Sequence, residues 1–168
     1  IKAIQVVFDI IQKQKNKKFF ELCSACLKAI KNGNKVIFFG NGGSASDAQH
    51  LATELIVRYK KNRKAIAAMS LATDTSALTA IGNDFSFDKI FSRQIEALGK
   101  KGDIAIGITT SGDSKNIIEA FKQTKKKNIK FYGFSGNNGG KLKNYTKNLI
   151  IIPSKITSVV QVAEITLG

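Results

Sequence analysis

Apolar positions along the 168-residue chain switch repeatedly between a helical spacing and short continuous runs. Residues 1–14 carry a helical pattern through Ile4, Val7, Phe8 and Ile11. A second stripe, Phe19, Leu22, Cys23, Cys26, Leu27 and Ile30, predicts a helix over 19–30 that Asn32-Gly33 ends. Lys35-Val36-Ile37-Phe38-Phe39 is a bounded apolar run and reads as a buried strand. A glycine-rich turn follows it and feeds a helix expected from Asp47 to Tyr59. Further strands are expected near 65–70, 103–108, 130–134 and 148–152. Helices are expected near 75–81, 87–99 and 114–126, and from Thr157 to the end. Strands that alternate with helices imply a parallel sheet covered on both faces, an α/β fold. No linker, repeat or low-complexity block interrupts the alternation, so one domain over 1–168 is expected.

Composition agrees with a packed core. A chain of this length buries roughly 70% of its unfolded surface, and 43% of its residues are hydrophobic. No run of 18 uninterrupted apolar residues is present, so no membrane span is expected. The chain begins at Ile1 without a signal peptide, which predicts a cytoplasmic protein whose natural start lies upstream. Cys23 and Cys26 form a CxxC inside a helical pattern with no second pair. That spacing suits redox or metal chemistry, but two buried thiols is the plainer reading. The net charge of +15 admits phosphate-rich partners, yet only Arg58, Arg63 and Arg93 are arginines among 27 basic residues. The lysines spread along helix faces and ends without interleaved aromatics, so no nucleic-acid partner is expected.

Two strand-to-helix turns carry the candidate chemistry. One is Gly40-Asn41-Gly42-Gly43-Ser44-Ala45-Ser46 and the other Thr109-Thr110-Ser111-Gly112-Asp113-Ser114. Each follows the carboxyl end of an expected strand, where open α/β sheets bind ligands. Small hydroxyls and helix N-terminal amides suit a phosphate group. Neither turn fits a nucleotide-binding fingerprint. Either one alone reads equally as a tight connection with a serine cap; the matched pair favours phosphate. His50, the only histidine, and Glu54 lie one helical turn apart on one face. That pair suits a general base or two metal ligands.

GNGGSASDAQHLATELIVRY at 40–59, LTAIGNDFSFDKIFSRQIEALGKKGD at 78–103 and GITTSGDSKNI at 107–117 resemble the phosphoheptose isomerase branch of the sugar isomerase (SIS) domain family. The resemblance runs from about residue 19 to the end. It implies a single SIS domain with a five-stranded parallel flavodoxin-like sheet, N-terminal helices used in oligomer packing, and a homotetramer with active sites between subunits. The implied activity converts sedoheptulose 7-phosphate to a heptose 7-phosphate through an enediol, the first step of nucleotide-activated heptose biosynthesis. By the same resemblance Glu54 is the catalytic base. The implied substrate-binding set is Asn41, Gly42, Gly43, Ser44, Arg58, Asn83, Asp84, Thr109, Thr110, Ser111, Ser114 and Gln161, with Thr109 standing where a serine is commoner. In zinc-binding members His50, Glu54 and Gln161 match three ligands, so zinc is an implied cofactor. A carboxylate acts as base when a dry site raises its pKa, and zinc would polarise the carbonyl.

The last helix departs from the pattern. Val159, Val162 and Glu164 stand where the family has Arg, Glu and His, and the family's partner His would follow Gly168 directly. The chain is therefore expected to stop one position short of it and to hold zinc weakly. Two other readings remain for this fold, a non-catalytic scaffold that binds a replication initiator and a sugar-phosphate sensor. Glu54 together with an intact GNGGS favours the enzyme.

Overall fold

Strand residues alternate between two cores, which is why the strands read as continuous apolar runs rather than alternating ones. The computed structural model describes Gln5 and residues 17–168. The helix expected over 1–14 lies outside the described residues, apart from Gln5, which is helical. The described elements run α1 (Lys17–Lys31), β1 (Val36–Gly40), α2 (Gly43–Ile56), β2 (Ala68–Ser70), α3 (Thr75–Asp84), α4 (Ile90–Leu98), β3 (Ile104–Thr109), α5 (Lys115–Lys126), β4 (Lys130–Gly136), β5 (Leu149–Ile152) and α6 (Thr157–Leu167). Short 3₁₀ turns at Phe87–Lys89 and Lys141–Asn144 complete them. The five strands form one parallel sheet in the order β2-β1-β3-β4-β5.

Val36 and Phe38 of β1 join Ile104, Ile106 and Ile108 of β3 in a core closed by α1, α2 and α6. Ile37 and Phe39 face the other way, into a core with Phe91 and Ile95 of α4 and Ile117 of α5. Phe39 lies 5.3 Å from Phe91, ring centre to ring centre, in a tilted contact. At the amino end of the sheet, buried Asp103 accepts from the Lys35 amide at 3.0 Å, the Lys35 Nζ at 2.6 Å and the Lys100 amide at 2.8 Å. Those bonds satisfy a carboxylate that burial would otherwise penalise.

Several boundaries depart from the sequence reading. The helix after β1 begins at Gly43, not Asp47, because the Ser44 amide already donates to the Asn41 carbonyl at 3.0 Å. It ends at Ile56 rather than Tyr59. β2 keeps only Ala68–Ser70 of the expected 65–70, pairing with Val36–Phe38 as an edge strand. β4 runs on to Gly136, where the Gly136 amide reaches the Thr110 carbonyl at 3.2 Å.

Candidate active site

The sheet register sets Gly40 of β1 against Ile108 of β3, so the two hydroxyl-bearing turns leave adjacent strands at the same edge. In the first turn, Gly42 is the N-cap of α2 with a left-handed φ of 55° and no side chain to occupy the helix amides. The Ser44, Ala45 and Ser46 amides instead donate to the Asn41 and Gly42 carbonyls at 3.0, 3.0 and 3.3 Å, so of the opening amides only that of Gly43 is left for a ligand. Gly43 is needed for another reason, since a Cβ there would collide with the Gln161 amide of α6.

The second turn is held by its own hydroxyls. Thr109 Oγ1 and Ser114 Oγ lie 3.2 Å apart, and Thr109 Oγ1 also accepts from the Gly112 amide at 3.2 Å. Ser111 Oγ accepts from the Asp113 amide at 3.1 Å. Ser114 occupies the N-cap position of α5, but its side chain makes no capping bond. Ser44 and Thr109 are buried, whereas Ser111 is exposed and Ser114 half-buried. Thr110 is half-buried between them and the end of β4.

Two features of this edge escaped the sequence reading. Asn41 and Asn116 exchange reciprocal amide bonds of 2.9 and 2.8 Å and so tie the two turns together. The 137–142 segment braces the second turn from outside, with the Leu142 amide on the Gly112 carbonyl and the Lys141 amide on Asp113 Oδ1, both at 2.9 Å. An Asn beside a serine cap reads from sequence as a solvated helix start, and Asn137-Asn138-Gly139-Gly140 reads as a plain turn.

Farther along α2, His50 Nε2 lies 3.5 Å from Glu54 Oε1. Both line a cavity of about 520 Å³ whose other walls are mainly apolar, among them Phe19, Leu51 and Leu167. Cys23 and Cys26 line it too, and burial, followed by the neighbouring Cys23, pushes the Cys26 thiol up to about 12, which keeps it protonated. Gln161 is elsewhere. It lies against Gly43, seven residues ahead of His50, or about 10 Å of helix rise. The three zinc ligands implied by resemblance therefore do not converge in one chain. Among the described residues no group of three or more His, Cys, Asp and Glu side chains could hold a metal ion. Arg58, Asn83 and Asp84 are exposed, and none bonds to either turn; Asn83 donates to its neighbour Asp84 at 2.9 Å.

Behind the first turn, α6 runs along α2, with Gln161 against Gly43 and Gly168 against Leu51. Between these contacts lies Glu164, 1% exposed, with no hydrogen-bond partner for either oxygen among the described residues. Burial, then the charge of Asp47, pushes its carboxyl up to about 8, while the nearby Ser44 hydroxyl opposes the shift without reaching hydrogen-bond geometry.

Known proteins share this fold. The SIS-domain model matches residues 1–136. A phosphoheptose isomerase of Paramagnetospirillum magneticum is 53% identical over 89% of this chain and 78% of its own length. One from Aquifex aeolicus is 52% identical over 83% of this chain and 73% of its own. The chain belongs to the SIS-domain family, in its phosphoheptose isomerase branch. The solved phosphoheptose isomerase of Neisseria gonorrhoeae superposes with a TM-score of 0.90 at 37% identity, covering 99% of this chain and 88% of that one. That of Francisella tularensis gives 0.93 at 30% identity over the same shares. The single SIS-type α/β sheet expected from sequence is the fold observed.

Proposed function

We propose that this chain is an aldose–ketose isomerase that converts sedoheptulose 7-phosphate to D-glycero-D-manno-heptose 7-phosphate for nucleotide-activated heptose synthesis. The observation that carries the reading is the pairing of two hydroxyl-bearing turns at one sheet edge, in a chain 53% identical to a phosphoheptose isomerase. The turns anchor the phosphate through Ser111, Ser114, the Gly43 amide and the amides that open α5, which fixes the sugar for reaction. Glu54 takes the proton from C1 beside the C2 ketone, leaving an enediol once the ketone oxygen is protonated. Return of the proton to C2, with loss of the O1 proton, gives the aldehyde. His50 Nε2, 3.5 Å from Glu54 Oε1, stands beside this base and pairs with the carboxylate when protonated.

The reading includes a homotetramer in the cytoplasm, whose substrate site is shared between copies. Two observations support sharing: Gln161 lies two helical turns from His50, and Arg58, Asn83 and Asp84 sit exposed away from the turns. No described helix is long and apolar enough to cross a membrane. The mechanism above takes no step through zinc, because the implied ligands do not meet in one chain.

The test is turnover of sedoheptulose 7-phosphate by the full chain and by Glu54→Gln. Loss of the base should cut kcat at least ~10²-fold with little change in sugar-phosphate affinity. Near-normal kcat in the variant would remove Glu54 from the role.

A further inference from the structure

We propose that Asn116 is a positioning residue for the phosphate site, acting through Asn41 to hold the two ligand-binding turns at a fixed separation. The proposal deepens the isomerase reading and rests on it only for the identity of the sugar.

The geometry is a closed two-bond ring. Asn41 Nδ2 donates to Asn116 Oδ1 at 2.9 Å, and Asn116 Nδ2 donates to Asn41 Oδ1 at 2.8 Å, across 75 residues of sequence. Asn116 is 2% exposed. A buried amide is costly without partners, and this one has both a donor and an acceptor satisfied by a single residue. Its neighbours in the chain also matter. Asn116 follows the α5 N-cap Ser114 by two positions, and Ser114 is bonded to Thr109. Asn41 follows β1 directly, and its backbone carbonyl receives the Ser44 amide at 3.0 Å. One continuous path thus runs from Thr109 and Ser114 through Asn116 and Asn41 to Ser44 and the start of α2.

The sheet does not need this pair. β1 and β3 are already laddered as far as Gly40 and Ile108, and the amide ring lies beyond the end of the ladder, where the turns diverge. Nor does helix α5 need it, since Asn is a poorer helix former than the Ala that could replace it. What the ring fixes is the spacing of two turns that must meet one phosphate together. It also commits half of the Asn41 amide, leaving one N–H and one lone pair to face a ligand.

A double-mutant cycle tests the idea by calorimetric titration of the full chain with inorganic phosphate and with sedoheptulose 7-phosphate. The variants are Asn41→Ala, Asn116→Ala and the pair together. Asn116→Ala should weaken phosphate binding at least ~10-fold, and the double variant should bind no worse than Asn41→Ala alone, because Asn116 acts only through Asn41. In turnover, the Asn116 change should raise KM much more than it lowers kcat. If Asn116→Ala does not fold, Asn116→Leu, similar in volume and without the amide, carries the same cycle. Losses that add in the double variant would overturn the proposal, as would unchanged phosphate affinity beside a lowered melting temperature. Inorganic phosphate keeps the two readings apart: coupled phosphate losses in a chain whose wild type does not isomerise the sugar would leave the positioning role standing and remove the isomerase.

Discussion

Glu164 of α6 faces Asp47 of α2 across a buried interface, and neither Glu164 oxygen nor Asp47 Oδ2 has a hydrogen-bond partner among the described residues. Two uncompensated carboxyls beside each other cannot both ionise cheaply. Burial raises the Asp47 carboxyl as well, with the His50 charge opposing it. The site sits directly behind Ser44, so its charge state bears on the first turn.

A pH dependence follows from this pair. The folded chain keeps a proton on Glu164 up to about pH 8, whereas the unfolded chain releases it near 4.5. Stability from this group is therefore fully present below the unfolded value and is lost as pH rises towards 8. Glu164→Gln removes the ionisation. Chemical denaturation from pH 5 to 9 should give a shallower decline in the variant, which should be the more stable form at pH 9 by at least ~1 kcal/mol. Parallel declines in the two proteins would mean that Glu164 is ionised or solvated in the folded state.

Sequence periodicity located the core well. Strands β1, β3 and β5 were legible because Val36–Phe39, Ile104–Ile108 and Leu149–Ile152 are apolar on both faces, as a doubly covered parallel sheet requires, whereas the half-buried edge strand β2 carries no such run. The turns were legible because their composition is unusual. Glu164 was not. Val160 and Ala163 set the buried stripe of α6, and Glu164 lies four residues after Val160 on that same stripe, where pattern alone assigns a charge to the solvent side. The early start of α2 was missed because Gly-Gly-Ser-Ala-Ser has loop propensities, which the backbone bonds from Ser44 to Asn41 and from Ala45 and Ser46 to Gly42 override. The amide ring joins residues 75 apart, a pairing that no local window contains.

Ser111 and Ser114 differ in what they hold. Sequence alone makes Ser114 a capping serine, whose loss would cost about 1 kcal/mol of stability. Its hydroxyl instead meets Thr109, and no side-chain cap is formed. Ser114→Ala should therefore lower the unfolding free energy by less than ~0.5 kcal/mol, below the usual capping loss. Its effect should fall on binding. A hydrogen bond to a charged acceptor contributes roughly 1.5–3 kcal/mol, so Ser111→Ala and Ser114→Ala together should weaken phosphate binding at least ~10²-fold. Titration of the folded double variant, with melting measured alongside, decides between the two roles. Intact binding with a large loss of stability would return Ser114 to the role of a cap.

Gly112 gives the sharpest test of how tightly the second turn is braced. Its φ of 71° is left-handed, a region that side chains with a Cβ rarely adopt. Any Cβ would also run into the Gly139 carbonyl and lie 2.8 Å from the Gly140 nitrogen, both backbone atoms that cannot rotate away. The Gly112 carbonyl is held from the same side by the Leu142 amide. Gly112→Ala should therefore destabilise the chain by at least ~2 kcal/mol through combined strain and overpacking. Phosphate affinity should fall with it, because the turn can relieve the clash only by moving away from the 139–140 backbone. Gly82→Ala supplies the comparison. Gly82 lies inside α3 with no atom of the described residues within 4 Å of where its Cβ would project, so the same substitution there should stabilise by up to ~1 kcal/mol. Urea unfolding of both variants reads the contrast directly. Equal midpoints for Gly112→Ala and wild type would mean that the brace yields, and that the 137–142 segment does not set the shape of the phosphate turn.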